Sequence, residues 1–167
     1  AAAWLSNPDI EPPFLTLTVS GGHTELVMEE PGFKYTSIGR TRDDAAGEAF
    51  DKCGKLIGLK YPAGATISRL GKDHNRKFVE FPRALHTHDS CEFSFSGLKT
   101  AVLRYTEPHD PQFIQDNLGD ICASLEDAIV DSLVSKTINA LKKTRMKTLV
   151  MGGGVSANSW LRTRLII

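Results

Sequence analysis

The sequence lacks the features that mark several common classes of protein. It has only three cysteines, and Cys53, Cys91 and Cys122 are widely spaced with no CxxC pair, which indicates reduced thiols rather than a disulfide framework. Lysine plus arginine and aspartate plus glutamate both number 20, so no overall field of one sign indicates a nucleic-acid binder. No apolar run approaches the roughly 20 residues of a membrane span, so no membrane is expected as a partner.

What is present fits one ordinary globular domain. The chain has 167 residues and is 41% hydrophobic, which is enough for a real core. Apolar alternation predicts an antiparallel meander of three strands, and further strands and helices follow it. The predicted strands cover residues 14–19, 23–28, 33–38, 93–95 and 148–151. The predicted helices cover a tail at 1–6, a helix with Asp43 or Asp44 as N-cap, one carrying Ile67 and Leu70, one capped by Ser96, one over 111–144 and one capped by Ser156.

Two glycine-rich loops at the ends of predicted strands are the main functional signal. The first is SGGHT at 20–24, and the second is GGGVSAN at 152–158. Glycines let backbone N–H groups approach an anion, and a helix N-terminus adds donors and a positive dipole end. Neither loop is a GxGxxG or a Walker A sequence, and either one alone is more often an ordinary tight turn. Two of them in one domain favour a phosphate or nucleotide site.

Three acidic residues are predicted on one face of the first helix after the meander. Asp44, Glu48 and Asp51 are spaced i, i+4 and i+7, which aligns them on one stripe. They predict either a site for sugar hydroxyls or a metal, or a solvated face with Glu48–Lys52 and Asp51–Lys55 ion pairs. The spacing alone favours the solvated face.

A lysine is predicted in the first turn of the helix that Ser96 begins. Lys99 opposes the helix dipole at this place. It therefore has either an anionic partner or a solvent-exposed position, and the sequence does not decide between them.

The histidines lie in two polar segments. His74, His86 and His88, with Cys91 nearby, match no zinc-site spacing, so a polar loop is the preferred interpretation. His23 directly follows the first glycine loop and is a candidate catalytic residue, although a lone histidine is more often hydrogen-bonded structure.

Taken together, the motifs resemble those of one protein family. The shared motifs are SGGHT at 20–24, DDAAGEAFDK at 43–52, YPAG at 61–64, FSFSGLKT at 93–100 and GGVSAN at 153–158. They occur in the order seen in the TsaD/Kae/Qri family of tRNA N6-adenosine threonylcarbamoyltransferases, formerly called O-sialoglycoprotein endopeptidase or glycoprotease. The resemblance covers nearly the whole chain. It implies an α/β fold of the actin-like ATPase type (ASKHA, ribonuclease H-like).

The resemblance also implies a reaction and its participants. Family members transfer the threonylcarbamoyl group from threonylcarbamoyl-AMP to N6 of the adenosine 3′ of the anticodon in tRNAs that read ANN codons. The expected partners are tRNA, the TsaB paralogue and the TsaE P-loop ATPase. The expected location is the cytoplasm, or the mitochondrion for a eukaryotic organellar member.

The family's substrate-binding positions map onto this chain residue by residue. The residues that the resemblance implies contact the adenylate are Thr18, Val19, Ser20, Gly21, Gly22, Asp51, Gly64 and Asn158. The resemblance does not identify a general base, and His23 is the candidate for that role.

The chain departs from the family pattern at the metal. The family binds Fe(II) or Zn(II) through two histidines of an HxEGH motif and a later aspartate, and neither is found in this sequence. We expect these ligands outside residues 1–167, with residues 1–13 a remnant of a first lobe and linker, and 14–167 an incomplete second lobe with a helical insertion. This piece alone is expected to bind no metal and to be catalytically inactive.

Two other functions stay open at this point. A metalloendopeptidase acting on O-sialoglycoproteins would match the older family name, but the chain carries no HExxH motif. A non-catalytic nucleotide-binding partner is the other alternative. The presence of Asp51, Gly64 and Asn158 argues against it.

Overall fold

Four strands form one mixed sheet in the order β3-β2-β1-β4. The computed structural model describes residues 9–32, 34–85 and 89–166, so the helix tail predicted at 1–6 lies outside the described residues. The strands are β1 (Phe14–Val19), β2 (Thr24–Glu30), β3 (Lys34–Arg40) and β4 (Leu149–Gly152). β1, β2 and β3 pair antiparallel, which confirms the predicted meander. β4 instead runs parallel to β1 on its other edge.

The two faces of the sheet differ in polarity because the side chains alternate along each strand. Leu15, Leu17 and Leu26 are fully buried in the hydrophobic core. On the opposite face, the hydroxyl of Thr16 donates to the carboxylate of Glu29 at 2.5 Å. The alternation of threonine with apolar residues therefore fixes which face of β1 meets the helices.

Six helices and one short 3₁₀ turn complete the described fold. They are α1 (Ala46–Leu56), α2 (Gly64–Leu70), α3 (Ser96–Thr106), α4 (Pro111–Asp116), α5 (Leu118–Thr144), the 3₁₀ turn (Gly154–Ala157) and α6 (Ser159–Leu165). α5 is the central helix, because it packs against α2, α6 and the inner face of the sheet. None of these described helices is both long and apolar enough to cross a bilayer.

The predicted beginnings of α1 and α3 were wrong, for one shared reason. α1 begins after Ala45 rather than after Asp43 or Asp44. The Asp43 carboxylate turns away to the start of α3, where it accepts from the N–H groups of Phe95 (2.7 Å) and Ser96 (3.2 Å). Ser96 is thus the first residue of α3 and not its cap.

The segment at 93–95 is not a strand. Phe93 forms a single parallel bridge with Thr41, and the backbone then turns into α3. Its alternation of phenylalanine and serine reflects burial of Phe93 and Phe95 in the core, while Ser94 is hydrogen-bonded to Asp43.

The single helix predicted over 111–144 is two helices. α4 ends at Asp116, and Asn117 separates it from α5. The N-cap of α4 is Asp110, whose carboxylate accepts from the Gln112 N–H at 2.7 Å. The apolar period continues through the break because both helices pack on the same core, so the pattern alone concealed the break.

The cap predicted for the last helix was also misplaced. Ser156 lies inside the 3₁₀ turn, and Asn158 is the N-cap of α6. Its side-chain oxygen accepts from the N–H of Leu161 at 2.8 Å. The first glycine loop, by contrast, lies where it was predicted, directly after β1.

Candidate functional site

The two glycine loops lie side by side because β1 and β4 are adjacent parallel strands. Thr18, near the end of β1, pairs with Gly152, the last residue of β4. Gly153 then adopts φ 94°, and a Cβ there would overlap the carbonyl oxygen of Val19. Glycine is required at 153 both by its backbone angle and by this close approach. The carboxyl ends of parallel strands in an open α/β sheet are a preferred place for ligands.

The first loop is a closed turn held by Ser20. The Ser20 N–H donates to the His23 carbonyl at 2.8 Å. Its hydroxyl oxygen accepts from the N–H groups of Gly22 (3.3 Å) and His23 (3.0 Å). The loop geometry is thus fixed within the chain before any ligand arrives.

α1 begins directly against this loop. The N–H of Gly47 donates to the Ser20 carbonyl at 3.1 Å, and a Cβ at position 47 would lie 2.7 Å from that oxygen. The small residues at the start of α1 therefore allow the helix to pack closely against the first glycine loop.

A cleft of about 630 Å³ opens between the glycine loops, α1 and α2. Gly21, Asp51, Gly64 and Asn158 all line it, so four predicted site residues from distant parts of the sequence come together. The space beside Gly21 and Gly154 is open, because a Cβ at either position would meet nothing within 4 Å. The other lining residues are Gly47, Phe50, Tyr61, Pro62, Ala65, Ser68, Arg69, Lys72, Val155, Ala157 and Ser159.

The remaining predicted site residues do not line the cleft. Val19 is fully buried, and Ser20 shapes the turn as described. Thr18, Ser20 and Gly22 are not among the lining residues in the described part of the chain, and neither is His23. The first loop therefore presents Gly21 to the cleft.

The three predicted acidic residues do not act as one stripe, because only Asp51 lines the cleft. Asp44 and Glu48 both pair with Lys52, at 2.7 and 2.8 Å, and these contacts raise the pKa of that ammonium. Asp51 alone faces the cleft, and its Oδ1 accepts from the Ala63 N–H at 2.7 Å instead of pairing with Lys55. The predicted Glu48–Lys52 ion pair is therefore confirmed. The predicted Asp51–Lys55 pair was wrong, because Asp51 binds the Ala63 N–H instead.

Asp51 is held where α1 and α2 meet most closely. A Cβ at Gly54 would overlap the side chain of Ala63, so the glycine lets the loop before α2 lie against α1. The Asp51 Oδ2 accepts no hydrogen bond from the described residues. This arrangement leaves one carboxylate oxygen for a hydroxyl donor in the cleft.

Asn158 has a fixed amide orientation. Its Nδ2 donates to the hydroxyl of Ser68 and to Oε1 of Glu126, both at 2.8 Å. Its Oδ1 accepts from the Leu161 N–H, so nitrogen and oxygen are told apart by their partners. Both N–H donors of the Asn158 amide and one lone pair of its Oδ1 are thus engaged, which leaves the second lone pair of Oδ1 to accept another hydrogen bond.

Glu126 lies behind this wall and was missed by the sequence analysis. Its side chain is only 1% exposed, and Oε2 accepts from the Arg76 guanidinium at 2.6 Å. The guanidinium in turn lies 4.1 Å over the ring of Trp160. A signal existed, because Cys122, Glu126 and Ile129 follow the i, i+4, i+7 spacing of the buried stripe of α5.

Two cations at the rim of the cleft were also missed. Arg69 and Lys72 are exposed and line the cleft. Among the described lining residues, Asp51 is the one that carries a carboxylate. Tyr61, 83% exposed, lies beside them. This edge of the cleft thus combines positive charge with an aromatic surface.

The other sequence candidates lie elsewhere. Lys99 is exposed and does not line the cleft. His74 pairs with Asp120 at 3.0 Å, whereas His86 and His88 lie outside the described residues. No group of three His, Cys, Asp or Glu side chains able to hold a metal occurs within 9–32, 34–85 and 89–166. These residues therefore do not fit the metal that the resemblance implies.

The cysteines are buried thiols. Burial raises the pKa of Cys53 and of Cys122 to about 12, and it also raises the pKa of Cys91. A raised pKa disfavours the reactive thiolate. Their role is packing, as the reduced-thiol interpretation expects.

Comparison with known sequences shows the family to which the chain belongs. The family model described as TsaD, tRNA N6-adenosine threonylcarbamoyltransferase, matches residues 1–167. The curated protein of that name from Chlorobium phaeobacteroides strain BS1 is 50% identical over 171 aligned positions, covering 96% of this chain and 49% of the relative. The one from Prosthecochloris aestuarii is 52% identical over 163, covering 93% and 47%. The chain thus spans about half the length of the curated relatives it matches.

Solved structures show the fold class. Component A of the (R)-2-hydroxyglutaryl-CoA dehydratase of Acidaminococcus fermentans matches with TM-score 0.54 and 19% identity, covering 98% of this chain and 54% of that one. The activator of the 2-hydroxyisocaproyl-CoA dehydratase from Clostridium difficile, solved with bound ADPNP, matches with TM-score 0.57 and 14% identity, covering 98% and 53%. Both are actin-like ATPase-fold proteins, which confirms the predicted fold class.

Proposed function

Since the chain belongs to the TsaD family of tRNA N6-adenosine threonylcarbamoyltransferases, we propose that it forms one wall of the adenylate site of such an enzyme. The full-length protein, meaning a chain extended to the length of the relatives, would transfer the threonylcarbamoyl group from threonylcarbamoyl-AMP to N6 of the adenosine 3′ of the anticodon in ANN-reading tRNAs. The observation that carries the proposal is the shared cleft of Gly21, Asp51, Gly64 and Asn158.

Each side of the cleft matches one part of an adenylate. The open Oδ2 of Asp51 would accept a hydrogen bond from a ribose hydroxyl. Gly21 and Gly154 leave room for the phosphate to approach the backbone, since no Cβ intervenes. Arg69 and Lys72 would add positive charge beside the phosphate.

The chemistry is acyl transfer to an amine. The adenosine N6 attacks the carbamoyl carbon and a C–N bond forms. The C–O bond to the phosphate breaks so that AMP leaves, and the proton lost from N6 passes to the general base. The described residues contribute binding and orientation of the adenylate, which makes the attack effectively unimolecular. His23 stays a proposed general base, and it belongs to the same turn as Gly21 but does not itself line the cleft.

The metal and the partners belong to the same proposal. The sequence has no HxEGH motif, and the described residues do not fit Fe(II) or Zn(II). The ligands are therefore proposed to lie outside residues 1–167, and no step is assigned to the metal. The TsaB paralogue and the TsaE P-loop ATPase are the proposed bacterial partners, and the cytoplasm is the proposed location. The division of the chain at residue 13 and the inactivity of residues 1–167 alone also stay predictions.

The test uses the full-length protein with its metal and partners. Threonylcarbamoyl transfer to an ANN-reading tRNA is measured by nucleoside mass spectrometry, with the same tRNA carrying guanosine at the acceptor position as control. We expect modification of the first tRNA only. Because Asp51→Asn keeps the oxygen that accepts from Ala63 and removes the free acceptor, it should weaken AMP binding about tenfold, whereas Asp116→Asn, outside the cleft, should not.

Two other results would overturn the proposal, and a third would correct the site. AMP binding without transfer would favour a non-catalytic nucleotide-binding protein. Cleavage of an O-sialoglycoprotein in a parallel assay, with no tRNA modification, would favour the peptidase. Equal AMP affinity in wild type and Asp51→Asn would remove Asp51 from the site.

A further inference from the structure

Behind the cleft wall lies a buried carboxylate that the adenylate site, as proposed so far, does not use. Glu126 on α5 does not line the cleft, yet Ser68 and Asn158, two of its three hydrogen-bond partners among the described residues, both do. Its Oε1 accepts from the hydroxyl of Ser68 and from Nδ2 of Asn158. The three side chains form a closed triangle, because Asn158 also donates to Ser68.

This triangle joins elements that are far apart in sequence. Ser68 belongs to α2, Glu126 to α5, and Asn158 is the N-cap of α6. The charge of Glu126 is balanced by Arg76 at 2.6 Å, so burial does not leave the carboxylate unpaired. Among the residues that the structure describes, every fully buried polar side-chain atom has a hydrogen-bond partner.

The Glu126 carboxylate and the Leu161 N–H together fix which way the Asn158 amide faces. An ionised carboxylate is an acceptor only, so it requires the NH₂ end of Asn158 and leaves the oxygen end to Leu161 and the cleft. An amide at position 126 would have one acceptor and one donor end. It would satisfy either Arg76 or Asn158, but it would meet the other with a donor against a donor, whereas the Ser68 hydroxyl can turn to accept.

We propose that Glu126 is a positioning residue of the adenylate site, which holds Asn158 with its Oδ1 acceptor presented to the cleft and Ser68 turned toward the protein interior. The inference rests on the proposed function, because Asn158 must contact the adenylate for its orientation to matter. The ligand group that this geometry selects is a hydrogen-bond donor, such as a ribose hydroxyl or the adenine amino group.

The test compares AMP binding by calorimetry in the full-length protein and its variants. Glu126→Gln is nearly isosteric and should raise the Kd of AMP about fivefold to tenfold, which corresponds to one disturbed hydrogen bond. The KM for threonylcarbamoyl-AMP should rise by a similar factor with kcat nearly unchanged, because the lost contact is one of binding.

The double variant Arg76→Met with Glu126→Gln gives a test that a merely structural role would not pass. Removing the guanidinium frees the substituted amide at position 126 to present its oxygen to Asn158. The Kd of AMP should therefore return to within about twofold or threefold of wild type. This recovery is expected even though the double variant also lacks the Arg76 guanidinium.

Asp131→Asn is the matched control on the same helix. Asp131 pairs with Arg83 (3.2 Å) and Arg164 (2.8 Å) and thereby also ties α5 to α6, but it does not contact Ser68 or Asn158. Its variant should lower the melting temperature while the Kd of AMP stays within about twofold of wild type.

The outcomes separate this inference from the proposed function. If wild type binds AMP, Asp51→Asn weakens it and Glu126→Gln does not, the positioning role is wrong and the adenylate site stands. Equal weakening by Glu126→Gln and Asp131→Asn, or no recovery in the double variant, would also overturn the positioning role. If wild type fails to bind AMP, both are wrong.

A second variant covers the case in which Glu126→Gln does not fold. Ser68→Ala removes one side of the triangle but leaves the carboxylate in place, so it should raise the Kd of AMP about twofold to threefold. An unchanged Kd in Ser68→Ala would then overturn the positioning role.

Discussion

Thr18 and Gly152 are paired neighbours on adjacent parallel strands, and this pairing places both glycine loops at one edge of the sheet. Neither loop would form a cleft alone. The first presents Gly21 and the second presents Gly154 and Asn158 to the same space. The site therefore depends on backbone geometry at a few glycines as much as on polar side chains, and the predictions below test both.

Gly153→Ala is expected to destabilise the protein strongly. Position 153 has φ 94°, and its Cβ would overlap the Val19 carbonyl oxygen, so the strand ends must separate. We expect a loss of about 2–4 kcal/mol in the free energy of unfolding, measured by urea denaturation. Gly154→Ala is the neighbouring control, with open space at its Cβ, and a similar loss there would contradict the explanation.

Gly47→Ala and Gly64→Ala should separate packing from binding. At position 47 a Cβ would lie 2.7 Å from the Ser20 carbonyl oxygen, whereas at 64 it would lie 3.7 Å from Phe50. Gly47→Ala should therefore lower the melting temperature. Gly64→Ala should keep the melting temperature near that of wild type and narrow the cleft, which AMP titration would reveal as weaker binding. An unchanged melting temperature in Gly47→Ala, with a lowered one in Gly64→Ala, would show that the start of α1 has room for a methyl group.

The link between Asp43 and α3 should make stability depend on pH. Burial opposes ionisation of Asp43, but hydrogen bonds from Ser94, from the Phe95 N–H and from Ser96 outweigh it and hold its pKa below the usual 3.8. A pKa lowered on folding stabilises the protein above 3.8, and that stabilisation is lost as pH falls through the folded value. Asp43→Ala should cost about 1–2 kcal/mol at pH 7, and its deficit should shrink below pH 3.8.

The measurement for Asp43 is urea unfolding of wild type and variant at pH 7 and pH 3. Asp116→Ala is the control, because the Asp116 carboxylate accepts from the Gln112 side chain on the exposed face of α4. Its effect should stay within about 0.5 kcal/mol at pH 7. A deficit of Asp43→Ala that is as large at pH 3 as at pH 7 would show that the carboxylate charge is not the cause.

Arg69 and Lys72 should act on ligand affinity through charge. Both are exposed at the cleft, so Arg69→Gln and Lys72→Gln should each weaken AMP binding, and the effect should decrease as salt screens the charge. Lys55→Gln, on the exposed side of α1 and away from the cleft, is the control. Calorimetry at low and high ionic strength checks this, and an effect independent of salt would argue for a packing role.

The sequence was a good guide where a pattern had a single structural solution. Alternating threonines fixed β1, and glycines after two strands fixed the loops. It failed where one side chain had several possible partners. Asp43 was expected to cap its own helix but caps α3 from 52 residues away, and only tertiary structure brings those groups together.

The site shows the same limit. The motif resemblance named Asp51, Gly64 and Asn158, and these do line one cleft. Glu126 stood in the sequence as one more residue of a long apolar helix, because a buried acid is recognised by its partners rather than by its neighbours in the chain. Arg69 and Lys72 carried no local pattern at all.

The pairing of β1 with β4 also sets when the cleft can exist. Leu15 is paired with Leu149, so the segment 15–149 must be closed into a loop before this pair forms, and contacts of such high sequence separation are slow to form. The first glycine loop has no opposite side until β4 has docked beside β1. Adenylate binding would therefore report that this docking has taken place, and a bound nucleotide would in turn hold β1 and β4 together.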